Sequence, residues 1–130
     1  MRIVIADDSP GIQDRLKEMI SHIGNTSIVG LASDGVEAIH SIHSLKPDVV
    51  ILDLHMPKAS GFDVIKDIIK NDMATVVLVV TNYSLAPYRE KCSQLGVKYF
   101  FDKTNEFEQA MELIEDLATE KHNEWLMNEK

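Results

Sequence analysis

Five polar residues stand where short, mostly apolar runs of this sequence end. They are Asp7, Asp8, Asp53, Thr81 and Lys103, and the runs are residues 3–6, 49–52, 75–80 and 97–101. Three carboxylates close together repel one another, and a hard divalent cation relieves that repulsion because it prefers oxygen ligands. A carboxylate beside such a cation can attack a phosphoryl group, whose oxygens a lysine and a hydroxyl then stabilise.

This chemistry gives each of the five residues a role. We interpret Asp53 as the nucleophile that accepts the phosphoryl group. Asp7 and Asp8 form the metal site, for Mg²⁺ or for Mn²⁺ in its place. Lys103 and Thr81 contact the phosphoryl oxygens.

The elements that must position these residues alternate between strands and helices. The apolar runs predict strands buried on both faces, and apolar residues spaced three and four apart between them predict amphipathic helices. This alternation predicts an α/β fold with a parallel sheet that helices cover on both faces. The leading topology is the doubly wound, flavodoxin-like five-stranded order 2-1-3-4-5. The carboxyl ends of its strands share one edge, where the five polar residues are expected to meet.

Capping residues predict where several helices begin. Ser9, followed by Pro10, and Asp34 are expected to open the first two helices, and Ser84 and Asn105 the last two. We expect residues 1–118 to form one domain. Residues 119–130, which contain Trp125, are expected to extend the last helix with no separate output domain, although a contact with a partner or a frayed end also fits.

Composition limits the function classes. A length of 130 residues fits one domain, and 45% hydrophobic residues suffice for a core. The net charge of −8 argues against direct binding to the backbone of a nucleic acid. No apolar run is long enough to span a membrane, no signal peptide is evident, and Cys92 is the single cysteine. These features favour a cytoplasmic, acidic domain that meets a protein partner or a cation.

The pattern resembles the receiver domain of two-component response regulators, in particular stand-alone, chemotaxis-regulator-like receivers, over essentially the whole chain. The matching residues are Asp7-Asp8, the run Leu-Asp-Leu-His-Met-Pro at 52–57, Gly61, Thr81 and Phe101-Asp102-Lys103. The resemblance implies that Asp53 takes phosphate from the phosphohistidine of a sensor histidine kinase or a phosphotransfer protein. It also implies that Asp8, Asp53 and the backbone carbonyl of His55 bind Mg²⁺, with Asp7 helping through water.

The resemblance further implies how phosphorylation is reported. Thr81 and Phe100 would move together and reshape the face made by helix 4, strand 5 and helix 5, which a downstream protein reads. His55 and Tyr83 occupy the positions that tune phosphate lifetime. The chain would be a phosphoacceptor switch, monomeric or weakly dimeric, whose only catalysis is its own phosphorylation and dephosphorylation.

Three residues depart from the family pattern. Thr104 follows Lys103, where receivers usually have a proline joined by a cis bond, so we expect a trans bond and an altered loop. Asn82 stands where a small residue is common. Phe100 replaces a frequent tyrosine and lacks its hydroxyl.

Other interpretations use the same residues. A Mg²⁺-dependent phosphatase also places carboxylates at strand ends, but it generally spaces two aspartates on its first strand by two residues and carries a cap domain. A flavodoxin-like nucleotide binder would need a glycine-rich cradle, which residues 7–11 lack.

Taken singly, the polar residues also have plain structural interpretations. Asp8 could favour a helix dipole, Thr81 could simply end a strand, and Lys103 could be a solvated loop lysine. His40 and His43 are expected at the surface rather than as metal ligands, and Cys92 is expected to be buried and inert.

Overall fold

The computed structural model describes residues 1–128. Strands and helices alternate along them without exception, in the order β1 (Arg2–Ala6), α1 (Pro10–Ser21), β2 (Ser27–Ala32), α2 (Gly35–Leu45), β3 (Val49–Leu52), α3 (Gly61–Lys70), β4 (Val76–Thr81), α4 (Ala86–Gln94), β5 (Tyr99–Asp102) and α5 (Phe107–Asn128).

The five strands form one parallel sheet in the order β2-β1-β3-β4-β5. The predicted doubly wound topology is therefore confirmed. Ala6 of β1 pairs with Leu52 of β3, and Thr81 of β4 pairs with Asp102 of β5. This register brings the polar residues that follow the strands to one edge of the sheet.

Two apolar layers enclose the sheet, as the sequence predicted. Helices α2, α3 and α4 cover one face, where they pack on Val50 and Leu52 of β3. Helices α1 and α5 cover the other face, where they pack on Val49 and Ile51 of the same strand. Because successive side chains of a strand point to opposite faces, a strand covered on both sides must be apolar throughout.

Two of the four predicted helix caps are confirmed. Ser9 accepts a hydrogen bond from the backbone N–H of Ile12, and Asp34 accepts one from Glu37. Ser84 is not a cap, since α4 begins after Leu85 without a side-chain cap. Asn105 is not a cap either, because α5 begins at Phe107 and the residue directly before it is Glu106.

The Lys103–Thr104 bond is trans, as expected, and no cis peptide bond occurs in the described part of the chain. Helix α5 continues to Asn128 and carries the exposed Trp125. Residues 129 and 130 of the predicted extension lie outside the described residues, and the division of the chain at residue 118 stays a prediction. None of the helices within residues 1–128 combines the length and apolarity needed to cross a membrane.

Candidate functional site

Three carboxylates meet where β1 and β3 leave the sheet. Ligand oxygens of Asp7, Asp8 and Asp53 all lie within 4.8 Å of one another. The sheet register explains this, since the N–H of Asp53 donates to the carbonyl of Ala6 and so continues the β1–β3 ladder by one residue. Asp7 and Asp53 are buried, with 3% and 7% of their surface exposed, whereas Asp8 is exposed.

Lys103 brings the only buried ammonium of the described residues to this cluster. Its Nζ donates to Oδ2 of Asp7 at 2.7 Å and to Oδ2 of Asp53 at 3.1 Å. Its backbone N–H donates to the carbonyl of Thr81 at 2.9 Å, which fixes the main chain just beyond β5. The long side chain then spans from the edge strand β5 to β1 and β3 at the centre of the sheet.

Thr81, at the end of β4, completes the cluster. Its side chain is fully buried, and its Oγ1 donates to Oδ1 of Asp53 at 2.7 Å. The same oxygen accepts the N–H of Tyr83 at 3.1 Å. The carboxylate of Asp53 is thus held at one oxygen by a hydroxyl and at the other by an ammonium.

Burial and charge shift the ionisation of this cluster. Burial raises the pKa of the Asp7 carboxyl and outweighs the hydrogen bond and charge of Lys103, which act in the opposite direction. For Lys103, burial acts to lower the pKa, but hydrogen bonds and charges from Asp7 and Asp53 outweigh it and leave the pKa raised. Lys103 therefore stays charged, while the negative charge of the pocket is only partly compensated.

The donor set fits a hard divalent cation. Three carboxylates and one ammonium carry a local charge of −2 when all are ionised, which one divalent cation neutralises. All three acidic side chains offer oxygen, the ligand that Mg²⁺ and Mn²⁺ prefer. This is the only cluster of at least three His, Cys, Asp or Glu residues with metal-site spacing within residues 1–128.

The start of α3 packs closely against the backbone of Asp53 and Leu54. Gly61, the first residue of α3, donates its N–H to the carbonyl of Leu54 at 2.9 Å. A Cβ atom at Gly61 would lie 2.4 Å from the carbonyl oxygen of Asp53 and 2.7 Å from Cα of Leu54. Only glycine allows this close approach of helix and strand end.

Gln13 of α1 was missed by sequence reasoning. Its Nε2 donates to the carbonyl of Asp7 at 2.6 Å and approaches the carbonyl of Ala32 at 3.3 Å. Gln13 thereby links the ends of β1 and β2 beside the acidic cluster. A single glutamine on a helix gives no signal in the sequence, since its partners come from loops that only the fold brings near.

The remaining predicted site residues lie at the rim or outside the pocket. His55 is exposed, its N–H is 3.4 Å from Oδ1 of Asp53, and its ring centre lies 5.0 Å from that of the half-exposed Tyr83. Phe100 is half-buried on β5 and packs towards α4, beneath the guanidinium of Arg89 at 4.6 Å. Asn82 is exposed, and its side chain is 3.5 Å from Oγ1 of Thr104.

His40 and His43 lie at the surface and Cys92 is buried, as expected. His40 is exposed, and Nε2 of His43 lies 2.6 Å from Asp67 on the neighbouring helix. Cys92 is buried, and burial raises the pKa of its thiol to about 11.

Comparison with known proteins places the chain in a family. Residues 3–115 match the model of the response regulator receiver domain. The chain is 30% identical over 118 residues to the transcriptional regulatory protein YvfU of Bacillus subtilis, covering 91% of this chain and 56% of that protein. It is 38% identical over 85 residues to protein-glutamate methylesterase/protein-glutamine glutaminase 3 of Hahella chejuensis, covering 65% of this chain and 24% of that protein.

Solved structures agree. The response regulator domain of Thermotoga maritima CheB superposes with a TM-score of 0.80 at 28% identity, covering 95% of this chain and 96% of that one. The chain belongs to the response regulator receiver domain family, whose members are phosphoacceptors in two-component signalling and interact with kinases and targets. The chain spans only about a quarter to a half of the length of the curated relatives it matches.

Proposed function

We propose that Asp53 is the phosphoacceptor of this receiver domain. The observation that carries the proposal is the buried Asp53 carboxylate, held by Thr81 and Lys103 beside two further carboxylates. An aspartate used only for structure gains nothing from two more acidic groups within 4.8 Å. A nucleophile that must meet an incoming phosphoryl group gains a site where a cation can assist.

The transfer step follows from these contacts. A carboxylate oxygen of Asp53 attacks the phosphorus of a phosphohistidine on the donor protein. The new P–O bond forms as the P–N bond breaks, and the imidazole leaves with the electron pair and takes up a proton. Nζ of Lys103 carries three N–H groups, two of which point at Asp7 and Asp53, so one can donate to a phosphoryl oxygen.

Asp8, Asp53 and the backbone carbonyl of His55 would hold Mg²⁺ or Mn²⁺, with Asp7 assisting through water. The bound cation supplies positive charge for the phosphoryl oxygens. Oδ1 of Asp7 accepts the backbone N–H of Ser9 at 2.9 Å, which keeps the Asp7 carboxylate oriented towards the pocket. The exposure of Asp8 leaves the pocket open to solvent on that side.

Thr81 would sense the product. Its hydroxyl donates to Oδ1 of Asp53 in the free protein, and phosphorylation of that carboxylate offers phosphoryl oxygens as stronger acceptors. A shift of Thr81 towards them would be accompanied by Phe100 and would alter the face of α4, β5 and α5, which a downstream protein then reads. His55 and Tyr83, whose rings are in contact at the rim, would limit the access of water and so tune the phosphate lifetime.

The whole-chain properties complete the proposal. The donor is a sensor histidine kinase or a histidine phosphotransfer protein, and neither nucleic acid nor membrane is contacted directly. The chain acts in the cytoplasm as a monomer or weak dimer, and as a switch rather than as an enzyme with its own substrate. Residues 1–118 form the receiver, and residues 119–128 continue its last helix.

The test is covalent labelling with a small phosphoryl donor. Incubation with acetyl phosphate and Mg²⁺ is expected to add the mass of one phosphoryl group, and Asp53→Asn to abolish the gain. Asp72→Asn is the matched control, because Asp72 is exposed with a left-handed φ of 49°, which asparagine also adopts readily. Labelling of the Asp53→Asn protein would refute the assignment, and steady turnover of a small phosphoester would favour the phosphatase alternative.

A further inference from the structure

The turn that carries Lys103 is closed by hydrogen bonds from both of its ends. Oδ1 of Asp102 accepts the N–H groups of Thr104 and Asn105 at 2.9 and 2.8 Å. In return, Oε1 of Glu106 accepts the N–H of Asp102 at 2.9 Å. Lys103 lies between these anchors, and Thr104 does not restrict the backbone as a proline would. The shape of this turn therefore depends on the side chains of Asp102 and Glu106.

Arg89 of α4 holds Glu106 in place. Its Nη2 forms an ion pair with the same Oε1 that binds the N–H of Asp102. Its Nε donates to the carbonyl of Ser84 at 3.2 Å, and its Nη1 donates to the carbonyl of Phe100 at 3.4 Å. The planar guanidinium thus joins the start of α4, strand β5 and the turn before α5, a use of its fork that lysine cannot reproduce.

We propose that Arg89 and Glu106 are positioning residues for Lys103, linking the helix α4 to the phosphoryl site. The inference rests on the proposed role of Lys103 as a phosphoryl contact. The pair acts through the backbone: Arg89 fixes Glu106, Glu106 fixes the N–H of Asp102, and the next residue is Lys103. We call this set of contacts the α4–α5 brace.

The brace matters most during the reaction itself. In the free protein the ammonium of Lys103 is held by Asp7 and Asp53. When Asp53 becomes bonded to phosphorus, that contact is altered, and the ammonium must meet the phosphoryl oxygens instead. The position of the ammonium then depends on the backbone position of Lys103. That backbone is held by the carbonyl of Thr81 and by the brace. Small displacements of a charge-stabilising group cost large factors in rate.

The experiment compares Arg89→Ala, Glu106→Ala and the double variant with Lys98→Ala. Lys98 is exposed and lies just before β5, so its replacement removes the same charge as Arg89→Ala at a nearby position. The first readout is amide hydrogen exchange at Asp102 and Lys103 in the unphosphorylated protein. The second is the rate of labelling by acetyl phosphate as a function of Mg²⁺ concentration.

The amide hydrogens of Asp102 and Lys103 are expected to exchange faster in both single variants, Arg89→Ala and Glu106→Ala, than in the wild type. Each is expected to lower the maximum labelling rate by about three- to tenfold, with the double variant no slower than the slower single variant. The Mg²⁺ concentration for half-maximal labelling should stay unchanged, because the brace acts through Lys103 and not through Asp8. Lys98→Ala should match the wild type in every readout.

Several results would overturn the inference. Wild-type exchange and labelling in Arg89→Ala would show that the brace does not hold the turn. Additive losses in the double variant, or an equal shift in the Mg²⁺ requirement, would indicate a general disturbance instead. A failure of the proposed function gives a different result. The Asp53→Asn protein would then still be labelled, while the brace variants would still show faster amide exchange at Asp102 and Lys103.

Discussion

Gly61→Ala should push the end of β3 and the start of α3 apart. The added methyl group has no space, because its carbon would lie 2.4 Å from the carbonyl oxygen of Asp53 and 2.7 Å from Cα of Leu54. Both atoms belong to the backbone and cannot rotate aside. Since carbon atoms pack at about 3.5–4.0 Å, the start of α3 must retreat by roughly 1 Å.

The size of the effect follows from two opposing contributions. Overpacking a buried site costs about 1–3 kcal/mol, and the rigid neighbours of Gly61 favour the upper end. Alanine in place of glycine recovers at most about 1 kcal/mol of helix propensity. We therefore expect Gly61→Ala to lower the free energy of unfolding by about 2 kcal/mol.

Gly24→Ala provides the matched control, because a Cβ at Gly24 meets no atom within 4 Å and its φ is not positive. It should leave stability unchanged or raise it by up to about 1 kcal/mol. Urea unfolding followed by circular dichroism gives both free energies. Acetyl phosphate labelling should also slow in Gly61→Ala, because the retreat of α3 displaces the peptide of Asp53. Equal stabilities for the two variants would refute the close-approach argument.

Three further predictions concern single side chains. Asp7→Asn should stabilise the metal-free protein in urea unfolding at neutral pH, because burial raises the pKa of the Asp7 carboxyl and so makes its ionised form unfavourable in the folded protein; loss of stability would contradict this. The backbone N–H of Ser60 lowers the pKa of Asp63 below 3.8, so the stability from Asp63 is fully present above 3.8 and is lost as the pH falls through its folded value. Asp63→Asn should therefore flatten the acid limb of a stability–pH profile, and an unchanged limb would show that the hydrogen bond from the Ser60 N–H to the Asp63 carboxylate does not stabilise the fold. Cys92, buried with a thiol pKa of about 11, should react with a thiol reagent only after urea unfolds the protein.

The sheet and the acidic cluster were predictable because they depend on local patterns. Val49, Val50, Ile51 and Leu52 are all buried, and a short, mostly β-branched run of this length between turn residues is typical of a strand covered on both faces. Once the strands are known, parallel pairing places Asp7, Asp53 and Thr81 at one edge. Their chemistry then follows from residue type and needs no further geometry.

The helix starts near the site were less predictable because a suitable capping side chain does not fix the residue at which a helix begins. Asn105 has a suitable side chain, but α5 begins at Phe107, one residue later than an Asn105 cap requires. Ser84 is also one residue too early, because α4 begins after Leu85, whose carbonyl accepts the N–H groups of Tyr88 and Arg89. Such choices depend on which side chains the fold brings near, and short windows of sequence do not contain that information.

The choice of lysine at position 103 follows from the charge imbalance of the pocket. One compact ammonium reaches Asp7 at 2.7 Å and Asp53 at 3.1 Å, and it can turn its third N–H without moving its stem. An arginine would bind one carboxylate with its planar fork and could not change partners as the charge on Asp53 changes. The compensation in the free protein is also incomplete, since one ammonium serves two buried carboxylates while Asp8 is exposed. The unbalanced pocket therefore fits a divalent cation, because the negative charge that Lys103 leaves uncompensated is carried by oxygen ligands.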